Sequence, residues 1–267
     1  MNETLKRSLS GAIYIVLLIS SILYSAESFF VLFGIFLLIA VFEFCNLIQF
    51  NKYIAMALAI AIYVFFCLNS MSRTNDQLLL LTTLIISIKC MVFLFEDSKN
   101  QVSQFSKYAF IIGYIILPFV FITKIPFGIR GFNPKIIISI FILIWTNDTF
   151  AYLVGKSIGK NKLFERISPK KTIEGFVGGV IFAVIASLVI SKYYIEGAKY
   201  IWIGIALIVS VFGTVGDLIE SKFKRIAGVK DSGKIMPGHG GVLDRLDSVI
   251  FVAPFVFLFY QILYYVS

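Results

Sequence analysis

The sequence predicts an all-α, polytopic integral membrane protein with about nine transmembrane helices and a cytoplasmic N-terminus. Three observations carry the prediction. Hydrophobic residues fill 59% of the 267 positions and charged residues only 15%, too apolar a balance for a domain with a water-facing surface. The apolar residues fall in runs long enough to cross a hydrocarbon core, which takes about 20 residues of helix. No stretch alternates as a barrel strand does, and helices are the other way to satisfy backbone polar groups in lipid.

In chain order the runs lie at 11–25, 28–49, 53–70, 78–95, 107–123, 135–154, 173–191, 200–219 and 248–266. Lys6 and Arg7 precede the first run, as in a secretory signal. No small-residue cleavage pattern follows and a second run begins almost at once, so it reads as a retained helix. The short joins leave no room for a separate soluble domain. Residues 1–267 therefore form one membrane domain, with five helices in 1–134 and, in 135–267, the four helices and cytoplasmic loops expected to carry the chemistry. With the N-terminus inside, seventeen Lys and Arg fall on the cytoplasmic side and six on the other, which satisfies the positive-inside rule. Nine spans place the C-terminus outside. So compact a chain points to a multi-pass protein of a bacterial cytoplasmic membrane.

The net charge of +9 is better explained by loops facing anionic headgroups or phosphate substrates than by nucleic acid. Cys45, Cys67 and Cys90 all lie in apolar runs without paired spacing, so they support neither disulfides nor a thiolate metal site.

Polar residues inside the runs are costly, at roughly 2.5–3.5 kcal/mol for an Asp at the centre of a span. Asp148, in IWTNDTFAYLVGK, is therefore expected to line a polar pocket open to the cytoplasm. For Glu43 and Lys89 a structural ion pair or snorkelling is the preferred reading. The following loop, GKSIGKNKLFERISPKKTIEGFVGG, sets Lys156, Lys160, Lys162, Lys170 and Lys171 among glycines with Ser168. Ammonium groups and close-approaching amides suit phosphate oxygens, although an ordinary positive-inside loop would look much the same. It is not a P-loop, since the spacing and the preceding strand are missing. Ser168 before Pro169 reads as an N-cap and a helix-starting proline.

The most polar stretch, residues 216–247, lies between two hydrocarbon runs and reads GDLIESKFKRIAGVKDSGKIMPGHGGVLDRLD. Asp217, Glu220, Ser221 and Lys224 share one helix face as the eighth run ends. Asp244, Asp247 and Ser248 do the same as the ninth begins, and the turn-rich loop between them lets the two ends meet. Carboxylates without His or Cys partners suit magnesium, which keeps waters and takes one or two protein carboxylates plus substrate phosphates. Lys224, Arg225, Lys230, Lys234 and Arg245 would balance phosphate charge. His239, the only histidine, is as well suited to ordering its loop or donating to phosphate as to acid–base work.

Ser221 to Asp247, with its Ser, Lys-Arg, Lys-Asp, His-Gly-Gly and Asp-Arg-x-Asp positions, resembles the signature of the phosphatidate cytidylyltransferases, or CDP-diacylglycerol synthases. GDLIES, NDTFAYLVGKSIGK and SPKKTIEGFVGG support the likeness, which covers about the last 120 residues. Met236 departs from the Leu, Ile or Phe usual there. The resemblance implies that CTP and phosphatidic acid give CDP-diacylglycerol and pyrophosphate at the cytoplasmic face, with a divalent cation. On that reading Asp217 and Asp244 are the first candidates for magnesium, and Asp247, Asp148 and Asp231 are candidates for a second cation or for orienting the ligands. Lys224, Arg225, Lys230 and Arg245 are assigned to the phosphates, and Ser221 to metal or phosphate. His239 stays a candidate catalytic group, while Lys156, Ser168, Lys170, Lys171, Gly240 and Gly241 complete the candidate substrate-binding set. CTP, phosphatidic acid and membrane lipids are the expected partners, and a homodimer is compatible with the sequence.

Two rival readings are a CTP-dependent polyprenol kinase, which would transfer the terminal phosphate, and a transporter using Asp148, Glu43 and Lys89 as an ion path. Inverted repeats, common in transporters, are not visible.

Overall fold

A computed structural model describes residues 3–68, 73–96, 103–128 and 131–266. Lys99 and Arg130, counted in the charge balance, and residues 69 and 70 of the third run lie outside the described residues, as do the side chains of Lys6 and Arg7. Among the described residues the chain folds into nine helices. They are α1 (Glu3–Tyr24), α2 (Ala26–Ile48), α3 (Lys52–Leu68), α4 (Arg73–Phe95), α5 (Gln104–Lys124), α6 (Pro134–Ile158), α7 (Ile173–Tyr193), α8 (Lys199–Ile226) and α9 (Leu243–Val266). Seven are long and apolar enough to cross a membrane, while the apolar stretches of α1 and α3, Ser8–Tyr24 and Lys52–Cys67, are shorter. The fold is that of an all-α, polytopic membrane protein.

The helix ends follow local chemistry. Ser25 caps α2 in a reciprocal capping box with Ser28, which allows α1 and α2 to join through one residue. Asn133 caps α6 ahead of Pro134. The expected cap at Ser168 is not formed. Ser168–Thr172 is a strand, β2, paired antiparallel with β1, Lys162–Phe164, and Thr172 caps α7 by accepting from the Gly175 amide at 3.1 Å. Pro169 fits this as well as a helix start, because its fixed φ also suits extended chain and an edge strand tolerates a missing N–H.

Helices α6, α7, α8 and α9 pack in succession. On α7, Gly179 lets the backbone approach α6 so closely that a Cβ there would lie 2.8 Å from the Asn147 carbonyl oxygen. At the end of α8, Phe223 is enclosed by Phe44, Phe93, Phe110 and Tyr114, with ring centroids 4.9, 4.9, 5.2 and 5.8 Å away. These rings join α8 to α2, α4 and α5. Beside them the buried Lys222 ammonium donates to the carbonyls of Phe93 and Glu96, closing the end of α4. The polar end of α8 is thus fixed by the first half of the chain.

Glu43 and Lys89 do not pair with each other. The Lys89 ammonium donates to Ser106 at 2.9 Å beside the rings of Phe105 and Phe110. Glu43 is buried and has a different set of partners, described below. The cysteines are all free, as their spacing implies.

Candidate active site

A cleft of about 690 Å³ opens where α6, α7, α8 and α9 meet β1 and β2. Asp148 reaches it from α6, Asp217 from α8, and Asp244 and Asp247 from α9. Five cations share the lining: Lys156, Lys162, Lys170, Lys171 and Arg245. The run-on lysines of SPKKT come to the cleft because the ribbon turns back over α7, with Lys162 opposite Thr172.

The carboxylates differ in how far the protein already satisfies them. Asp244 is fully engaged: one oxygen accepts from Lys224 at 2.7 Å, and the other from the Ser232 amide and hydroxyl, each at 2.9 Å, and from the Gly241 amide at 2.7 Å. It holds the loop before α9 in place. Asp217 pairs with Lys171 at 2.5 Å and accepts from the Ser221 hydroxyl at 3.1 Å. Among the described residues Asp148 accepts only from Asn147, at 3.2 Å, and Asp247 only from the Ser248 amide, at 2.7 Å. Asp148 and Asp247 therefore have the fewest protein donors, Asp217 has one on each oxygen, and both oxygens of Asp244, expected as a first ligand, are committed to protein donors.

This donor set fits magnesium. The carboxylates of the cleft offer hard oxygen donors of the kind this ion takes. Among the described residues no group of three His, Cys, Asp or Glu side chains could hold a metal ion by itself. Substrate phosphates and water would complete the sphere, as is usual for this ion.

The remaining candidates divide by position. Lys224 is ion-paired with Glu220 as well as Asp244, largely buried beneath the cleft. Ser221 is buried and reaches the site through Asp217. Gly240 adopts φ +87°, and a Cβ there would lie 2.5 Å from Asp244, so the turn requires glycine. Arg225 donates to the Val229 carbonyl at 3.1 Å, and its neighbours Lys230 and Asp231 are exposed; none of the three lines the cleft. Ser168 likewise lies outside the lining, opposite Phe164. His239 Nδ1 lies 2.8 Å from the Ser10 hydroxyl, which also meets the Pro237 carbonyl at 2.9 Å. The Arg245 guanidinium donates twice to the His239 carbonyl, at 2.8 and 3.2 Å. His239 thus ties its loop to α1 and to α9.

Glu43 completes the arrangement. Its carboxylate accepts from the amides of Val242 and Leu243 at 3.2 and 2.8 Å, and lies 3.2 Å from the Ser232 hydroxyl. It caps the N-terminus of α9 from another helix. An acidic residue in an apolar run signals buried donors somewhere, yet the sequence offers no means of saying which.

The site is thus a cleft in a polytopic membrane protein where carboxylates from three helices lie below a ribbon carrying Lys162, Lys170 and Lys171. The Cytidylyltransferase family model matches residues 5–263, and the chain belongs to that family. The match takes in the first half, which resembles the family only as apolar chain. The chain is similar to a phosphatidate cytidylyltransferase of Staphylococcus aureus strain COL, 46% identical over 162 residues, covering 59% of this chain and 60% of that protein. Proteins of the same name match from Staphylococcus haemolyticus at 43% over 162 residues and from Staphylococcus saprophyticus at 45% over 161, each with the same 59% and 60% coverage. The chain thus spans 60% of the length of these curated relatives.

Proposed function

We propose that this protein is a phosphatidate cytidylyltransferase: it transfers CMP from CTP to phosphatidic acid, giving CDP-diacylglycerol and pyrophosphate for phospholipid synthesis. The cleft lies at the cytoplasmic face of a bacterial cell membrane. Family membership and the names of the relatives support the chemistry, and the excess of Lys and Arg in the loops beside the cleft supports the orientation. The observation that carries the reading is the convergence of Asp148, Asp217 and Asp247 with five cations in one cleft.

A phosphate oxygen of the lipid attacks the α-phosphorus of CTP, the new P–O bond forms, and the α–β anhydride bond breaks to release pyrophosphate. A monoester has a second pKa of about 6, so the nucleophile is already largely dianionic at neutral pH and needs no protein base. That agrees with a lone histidine committed to its loop. Lys156, Lys162, Lys170 and Lys171 hold the triphosphate as point charges, and Arg245 is placed for the lipid phosphate. Together they align an in-line displacement and offset charge on the leaving group. Magnesium taking one or two of the Asp148, Asp217 and Asp247 carboxylates would supply further charge neutralisation there.

The test is product analysis with CTP, phosphatidic acid and magnesium. Label in the α-phosphate of CTP should enter the lipid; label entering only from the γ-phosphate would identify a lipid kinase, and none from either would overturn the proposal.

A further inference from the structure

Beside the charged cleft lies a second, apolar cavity of about 630 Å³. Its walls are Leu9, Ile13 and Leu17 of α1, Phe36 and Ile39 of α2, and the Ile235–Pro237 turn of the loop before α9. The Ser10 hydroxyl, donating to the Pro237 carbonyl, holds that turn against α1. Ile235 is 53% exposed on this side of the loop.

A third cavity shares lining residues with both. This polar neck of about 100 Å³ lies between them, sharing Tyr14 with the apolar cavity and Asp148, Arg245 and Asp247 with the cleft. Tyr14 stands at the junction with its ring 6.0 Å from that of Phe36. Its hydroxyl is buried and, among the described residues, has no hydrogen-bond partner. A buried phenol normally finds a partner, so this one points to a ligand.

Resting on the proposed activity, we infer that the apolar cavity seats an acyl chain of the lipid substrate, and that the Tyr14 hydroxyl donates to the lipid phosphate as it enters the neck. A single molecule with a hydrocarbon tail and an anionic head satisfies the groove and the orphaned hydroxyl together and brings its charge beside Arg245; an apolar helix of a second copy would leave the hydroxyl without a partner. Bilayer tails are as apolar as the groove, so seating a chain contributes orientation of the phosphate more than affinity.

The full-length protein in detergent micelles is assayed with dioleoyl and with dihexanoyl phosphatidic acid, the second too short to fill the groove. Ile39→Trp, which fills it, is expected to lower kcat/KM at least tenfold for the dioleoyl lipid and less than twofold for the dihexanoyl one. Equal losses, or none, would overturn the acyl assignment. Tyr14→Phe is expected to lower kcat/KM about tenfold for both lipids, since both carry the phosphate, and unchanged rates would remove Tyr14 from the site. Independently of turnover, phosphatidic acid carrying a mid-chain diazirine is crosslinked to the wild-type protein. Adducts are expected within residues 9–17, 36–39 or 235–237. Adducts elsewhere alone would refute the groove even if the enzyme is active, whereas adducts here without liponucleotide formation would uphold the groove and reject the cytidylyl transfer.

Discussion

The carboxylate of Glu43, near the end of α2, accepts the backbone amide of Leu243, 200 residues later, at 2.8 Å. The same group accepts Val242 and shares Ser232 with Asp244, so a residue of the first half sets the start of the last helix. Glu43→Ala would strand these donors, at about 1–3 kcal/mol for each one left buried and unpaired. A thermal midpoint several degrees lower and at least tenfold slower turnover are expected, with Glu43→Gln intermediate. A midpoint equal to wild type would contradict this role.

Asp217 and Asp244 should separate under mutation. Asp217 is partly exposed, with 36% of its side chain accessible, and its loss leaves the packing intact. Asp217→Asn is therefore expected to lower kcat about a hundredfold, the scale of losing an electrostatic group from a reacting centre, with an unaltered melting profile. A loss of stability in step with activity would instead make Asp217 a scaffold residue.

Asp244→Asn replaces one carboxylate oxygen by a donating NH2 and removes the charge, so either Lys224 or the three loop donors lose their acceptor. Both activity and stability should fall, with faster hydrogen exchange in residues 232–242. Exchange matching wild type would mean that Asp244 acts on the ligand alone.

Chelation gives the third comparison. EDTA should abolish liponucleotide formation and added magnesium restore it, while circular dichroism stays constant. Full activity in EDTA would remove the cation from the proposal.

The capping of α7 can be tested without the reaction. Thr172→Val should cost about 1 kcal/mol, about 2–4 °C for a chain of this size, whereas Ser168→Ala should change the midpoint little. The reverse order would restore Ser168 as the cap.

Much of the architecture was legible because water-to-lipid transfer is so unforgiving: apolar runs have to be helices, and Asp148 inside one has to face something polar. The spacing of Asp217 with Ser221 also foretold their contact, since helical periodicity is local. What spacing could not supply was the occupancy of each carboxylate. Asp244 and Asp217 look equivalent in sequence, yet one is enclosed by loop donors and the other meets a lysine from a ribbon 46 positions earlier. Ser168 misled for a related reason, because Ser-Pro suits both a helix start and an extended edge, and only the pairing with Phe164 decides between them.

The rings packed about Phe223 have a mechanical result. A side chain wedged among four aromatic neighbours from three helices leaves the end of α8 no room to pivot. The ribbon at 162–172 is tied to that end of α8 through Lys171 and Asp217, and to the end of α4 through Arg166 and the Glu96 carbonyl. Floor and roof of the cleft are therefore anchored to one rigid aromatic knot.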